Sequence, residues 1–186
     1  MALASDINNG VSINFDNAPV RYLQFHGNAI IQHNYFLSYI PSGSNSNFAS
    51  YPISNNPKYS TNLGVTSEVK TGNHRFDLTP GLWWQYVGTR YLFNNVNNAP
   101  TTQTMPGYGV VNFNTDGTIN RILPGRLQDV PLNISFGIEN LFNREYNPTA
   151  YITSGGYFGT SFGGYTLVDP GAPREYIVSI NFGFKK

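Results

Sequence analysis

Three histidines, His26, His33 and His74, are the side chains of this 186-residue chain best suited to hold a metal ion or carry a proton. None of them has a ligand spacing such as His-x-x-x-His, and they fall on different predicted strands or turns, so each reads as a hydrogen-bonding residue and no metal site is expected. Asp77, Glu139 and Glu145 raise the possibility of paired carboxylates. Two of these lie close in sequence to Arg75 and Arg144, which suggests solvated or ion-paired charges, and no Ser–His–Asp arrangement is visible. The stretch from Ser154 to Tyr165 is rich in Gly and aromatics but lacks the strand-to-helix context of a phosphate cradle. It reads as an exposed loop, with Tyr157, Phe158 and Tyr165 as candidates to touch a ligand. With zero Cys there is no disulfide, thiolate zinc site or thiol nucleophile. The chain is expected to be no enzyme and to need no cofactor.

Composition limits what positions these residues. Charged residues make up 11% of the chain, less than half of the roughly 25% usual in soluble domains. Such a chain must either hide much of its surface from water or solvate it with neutral groups, and Asn is abundant. A net charge of +1 is too small for the electrostatic footprint that nucleic-acid binding requires. No stretch approaches the length of a membrane helix, and Met1 to Asp6 has neither the basic nor the apolar region of a signal peptide, so either the protein stays inside or its start is missing.

Helical periodicity is absent, whereas alternation of apolar and polar residues recurs over lengths that suit a membrane-crossing strand, roughly 9 to 11 residues. The clearest case is the last, where Tyr176, Val178, Ile180, Phe182 and Phe184 interleave with Glu175, Ser179, Asn181 and Gly183, and only Ile177 is out of step. Leu132, Ile134, Phe136 and Ile138 alternate in the same way. So do Phe76, Leu78, Leu82, Trp84 and Tyr86, blemished by Pro80 and Trp83, and Tyr59, Leu63, Val65 and Val69. Val20 to Ile31, Tyr35 to Ile40 and Gly107 to Ile122 complete seven predicted strands, the last of them with Asp116-Gly117 as an optional hairpin turn.

The predicted connections alternate in length. Gln32–Asn34 and Thr71–Asn73 are short, Leu123–Pro131 is moderate, and Pro41–Pro57, Asn94–Pro106 and Asn147–Pro173 are long. A bacterial transmembrane barrel sorts its loops by parity in this way, and a sandwich has no reason to. Seven is odd, so the sheet cannot close with its first and last strands antiparallel. Residues 1–19, Asn-rich and unpatterned, are therefore expected to be a poorly ordered remnant of an external loop, and residues 20–186 the C-terminal portion of a larger barrel.

The segment Asn140-Leu141-Phe142-Asn143-Arg144-Glu145-Tyr146, preceded by Ser135 to Glu139 and followed by a long loop to Gly171-Ala172-Pro173-Arg174 and an alternating final strand, resembles the end of a TonB-dependent outer-membrane receptor. Pro80-Gly81-Leu82, Tyr86 to Tyr91 and Met105-Pro106-Gly107-Tyr108 match in family order. The resemblance implies an antiparallel transmembrane β-barrel segment in the bacterial outer membrane, open as a fragment. It also implies import of a scarce small-molecule ligand, often a ferric siderophore, with energy from TonB. Implied partners are outer-membrane lipid, the barrel-assembly machinery that reads the final strand, a plug domain and the TonB complex. Asn140, Leu141, Phe142 and Tyr146 would be its structural motif. The family ends on an aromatic, whereas here Lys185 and Lys186 follow Phe184. Two other readings compete: a soluble β-sandwich binding carbohydrate through Tyr and Trp, and an independent small barrel in which residues 7–16 add a strand.

Overall fold

The computed structural model describes residues 3–71, 75–120, 130–154 and 163–182, and among them there is no helix. The described strands are β1 (Leu3–Val20), β2 (Leu23–Ile40), β3 (Tyr59–Ser67), β4 (Val69–Lys70), β5 (Phe76–Val87), β6 (Arg90–Asn94), β7 (Ala99–Met105), β8 (Tyr108–Ile119), β9 (Leu132–Glu139), β10 (Thr149–Ile152), β11 (Thr166–Asp169) and β12 (Glu175–Phe182). A large antiparallel sheet runs in the order β1-β2-β3-β5-β8-β9-β12, with β4 added to β5. A smaller sheet, β11-β10-β6-β7, is built from the two long connections flanking β8 and β9.

Register makes one face continuous. Phe15 pairs with Gly27, Leu63 with Trp84, Val65 with Leu82 and Phe25, Leu82 with Phe113, Phe113 with Ile138, and Ile134 with Ile180. Because side chains alternate across a strand, these pairs lie on one side, and Asp16, His26, Thr66, Trp83, Asn114, Asp116 and Ser135 lie on the other. Trp83 is thus no defect in β5: it is the one large aromatic that this strand turns to the polar face.

Among the described residues nothing covers the apolar face. Val11, Ile13, Phe15, Trp84, Val178 and Ile180 are all exposed, and among the described residues no large side chain is fully buried. The surface reaches 12167 Å², whereas a compact soluble protein of 20.7 kDa would expose about 8,900 Å². The buried hydrophobic cluster, Leu92, Met105, Ala150 and Ile152, belongs to the smaller sheet.

Three expectations need correction. The loop remnant expected over residues 1–19 is, from Leu3 onward, a full strand, Leu3–Val20, joined to β2 by the two-residue turn Arg21-Tyr22. Its many Asn and Ser concealed an alternation in which only Ile7, Val11, Ile13 and Phe15 are strongly apolar. Val20–Ile31 and Tyr35–Ile40 are not two strands with a turn at Gln32–Asn34: β2 runs unbroken through it. The apolar alternation fades after Ile31 because β3 ends level with it, Ile31 pairing with Tyr59, and β1–β2 projects beyond the rest of the sheet. A span of nine residues, Tyr59–Ser67, measures about 30 Å at 3.3 Å per residue, the thickness of a bilayer core. Asp116-Gly117 is no turn either, because both residues pair inside β8, with Thr79 and Leu78 on one side and Ser135 and Ile134 on the other.

With these changes the alternation of connection lengths still holds. Short or moderate turns gather at one end, long connections at the other (hereafter the loop end), and β1 and β12 run in the same direction. Among the described residues each of these two strands pairs on one side only.

Candidate functional site

The polar face of the large sheet carries Asp6, Asp16, Asp77, Asp116, Glu139 and Glu175, and no Lys or Arg falls within its seven long strands. Among the described residues the basic side chains stand at strand ends: Arg21, Lys70 and Arg75 at the turn end, Lys58, Arg90, Arg144 and Arg174 at the loop end. Cross-strand hydrogen bonds tie this face together. His26 Nδ1 lies 2.7 Å from Asp16 Oδ1 and its Nε2 3.2 Å from Thr66 Oγ1. The imidazole stacks on Trp83 at 5.4 Å, and Trp83 Nε1 donates to Asn114 Oδ1 at 3.0 Å. Ser135 Oγ donates to Asp116 at 2.6 Å.

Thr66, His26 and Asp16 thus form a hydroxyl–imidazole–carboxylate relay that no sequence spacing announces, because the three residues sit on three strands. Its chemistry stops at the relay. Thr66 lies in a strand paired on both sides, with Gln24 and with Gly81, so the neighbouring N–H groups serve the ladders and cannot converge on an oxyanion. The arrangement fastens β1, β2 and β3 to β5. Trp83 fits because Gly64 lies opposite: a Cβ at Gly64 would come within 2.3 Å of the indole ring. Gly64→Val is therefore expected to displace Trp83 and cost about 1–3 kcal/mol. Near-ultraviolet circular dichroism together with a urea midpoint would show both effects, and an unchanged tryptophan band would contradict the packing described.

Of the loop residues expected to meet ligand, Tyr157 and Phe158 lie outside the described residues, as does His74. Tyr165 is exposed, and its carbonyl accepts from Thr153 N at 2.9 Å. No group of three metal-ligating side chains occurs among the described residues. Tyr176, Val178, Ile180 and Phe182 form one exposed apolar row on β12; Phe184 is outside the described residues.

The motif around Asn140 organises the top of β9. Asn140 is 3% exposed; its Nδ2 donates to the carbonyls of Arg144 and Ala172, and its Oδ1 accepts from Arg144 N. Asn140 adopts φ 49°, a left-handed conformation that Asn tolerates better than most residues. Leu141 N donates to Val111 O, and Phe142 points outward, 72% exposed. Tyr146 stacks on Tyr108 at 4.6 Å and covers Gly171, where a Cβ would meet its ring at 2.3 Å.

Above it, Arg90 anchors the smaller sheet. It is 5% exposed, donates to the carbonyls of Asn147 and Pro148, and faces the Tyr108 ring at 5.2 Å. Burial holds its guanidinium below the usual arginine range. Arg90→Leu leaves both carbonyls unpaired, and about 2–3 kcal/mol of local stability should be lost. Faster amide exchange at β6 and β10, with β12 unaffected, is the expected reading.

At the same end the segment after β2 folds back along its projecting edge. Phe36 N bonds Tyr51 O, Ile53 N bonds Asn34 O, and Gln32 N bonds Lys58 O. Between this segment and the smaller sheet lies a cleft of about 460 Å³ in which Phe36, Phe93 and Tyr151 meet the amides of Asn55 and Asn95. Sequence reading missed it, since these residues come from β2, β6, β10 and two loops and share no motif.

No family model matches the sequence, and no curated protein matches it either. Solved structures do. The ferric preacinetobactin receptor BauA of Acinetobacter baumannii superposes with a TM-score of 0.65 at 16% identity, covering 96% of this chain and 22% of the receptor. The ferric yersiniabactin uptake receptor FyuA of Yersinia pestis gives 0.65 at 17% identity, covering 97% and 24%. The ferripyoverdine receptor of the outer membrane of Pseudomonas aeruginosa gives 0.55 at 13%, covering 95% and 19%. The chain spans about a quarter or less of the length of these receptors. All three are named as receptors and none as an enzyme. The chain therefore has the fold of one arc of a siderophore-receptor β-barrel, an open antiparallel sheet with its loops sorted to one end.

Proposed function

We propose that the chain is part of a TonB-dependent receptor of the bacterial outer membrane, and that the free edges of β1 and β12 are completed by further strands. The single observation that supports this most is the uncovered apolar face, continuous over β1 to β12 and backed by a polar face rich in carboxylates. In water such a face would be a large aggregation liability. In a bilayer it is the wall that hydrocarbon solvates, and pairing at both edges satisfies the backbone groups that lipid cannot. A soluble sandwich would need a second sheet on that face, and the smaller sheet sits at the loop end instead.

On this reading the loop end faces outward and captures a small-molecule ligand such as a ferric siderophore. The polar face lines the lumen against a plug, and the TonB complex supplies the energy for import. The barrel-assembly machinery would read β12 during insertion.

Spin labels at Ile134, Ile180 and Phe182 in the chain reconstituted into vesicles should collide with oxygen dissolved in hydrocarbon. Labels at Ser135, Ser179 and Asn181 should collide with a water-soluble nickel chelate. Equal access to the nickel reagent on both sets would refute a membrane role.

A further inference from the structure

The three half-buried rings of Phe36, Phe93 and Tyr151 and the two exposed amides of Asn55 and Asn95 give the loop-end cleft a defined chemistry. Its volume of about 460 Å³ falls within the range of small-molecule sites. No charged side chain is among its described lining residues, and the cations nearby are engaged elsewhere. Lys58 Nζ lies 5.1 Å over the Tyr91 ring in a neighbouring cavity, and Arg90 is turned to the Asn147 and Pro148 carbonyls. Ser54, also at the cleft, spends its hydroxyl on Leu92 O at 2.9 Å.

We infer that this cleft is a subsite for an uncharged ligand with flat apolar faces and hydrogen-bonding edges, so that the wall discriminates against highly anionic complexes. The rings offer stacking area and the amides offer both donors and acceptors. A trianionic complex entering the cleft would lose hydration without meeting a counter-charge, which an uncharged complex of the same shape avoids. The inference rests on the reading that the loop end captures ligand, and it deepens that reading by naming the ligand class.

Two iron complexes with aromatic ligands separate charge from shape. Iron(III) tris(benzohydroxamate) is uncharged, since three monoanions balance the metal, and iron(III) tris(catecholate) is trianionic, since three dianions exceed it. Both are paramagnetic, so binding to the full chain in detergent micelles is read from broadening of the Ile53 methyl signal, with Ile177 on the polar face as the distant control. The uncharged complex should broaden Ile53 first and bind about tenfold more tightly than the trianion, a difference of about 1.4 kcal/mol. Phe93→Ala with Tyr151→Ala should abolish the selective broadening. Asn95→Lys, at an exposed position, should bring the trianion to at least equal affinity.

Equal or tighter binding of the trianion to the unaltered chain would overturn the inference, as would broadening at Ile177 before Ile53, or no binding of either complex. These failures leave the membrane reading standing, because that reading falls only when the labels at Ile134, Ile180 and Phe182 report water.

Discussion

Replacing Asn140 with Ala should lower the stability of the folded chain by about 3 kcal/mol, the largest loss expected from any single side-chain truncation at the loop end. The substitution removes two donors and one acceptor at once, leaving Arg144 N and the carbonyls of Arg144 and Ala172 without their partner. Each buried group left unpaired costs about 1–3 kcal/mol, reduced where water can reach it. A second contribution comes from the backbone: φ 49° at this position disfavours Ala by about 1 kcal/mol. Asn140→Gly separates the two, because Gly accepts the conformation and still lacks the amide, so it should be about 1 kcal/mol less damaging than Ala. Urea midpoints of the detergent-refolded variants measure both. A loss below about 1 kcal/mol for the Ala variant would show that the hub contributes little. Because Ala172 lies only a few residues before β12, the same variant should loosen the approach to the final strand.

Ile134→Arg tests the two faces against each other. Ile134 pairs with Ile180 on one side and with Gly117 on the other, on the apolar face of β9. An Arg facing hydrocarbon near the midplane of a barrel costs about 2–4 kcal/mol. Its neighbour Ser135 points the other way, beside the Asp116 carboxylate at 2.6 Å, so Ser135→Arg should cost less than about 1 kcal/mol and can gain an ion pair. Folding yields into vesicles, read by gel mobility before and after heating, should fall sharply for the first variant and barely for the second. Similar losses for both would mean that the sheet is not sided as described.

Much of the sheet could be read from sequence because the side-chain period of a strand equals the period of the pattern. Once Leu132, Ile134, Phe136 and Ile138 share a face, their partners Phe182, Ile180, Val178 and Tyr176 are placed by the same rule. Loop parity was legible for a related reason: turns that need only reverse the chain are short, and connections that build structure of their own are long. The projecting half of β2 was not legible, because beyond Ile31 the strand extends past the end of β3, outside the sided part of the sheet, and its sequence no longer has reason to alternate. Nor was β1, where Asn and Ser fill both faces over much of the strand.

Alternating side chains, sparse charge and the segment from Asn140 to Tyr146 were enough to determine a sided antiparallel wall with its loops at one end. Those features act locally, through strand pleat and solvation, and so they survive in a linear reading. The grouping of Asp16, His26, Thr66 and Trp83, the space Gly64 leaves for an indole, and the aromatic cleft at the loop end depend on which strands become neighbours and in what register. Only the tertiary structure decided these, because residues far apart in the chain acquire a common chemistry only once pairing has brought them within contact distance.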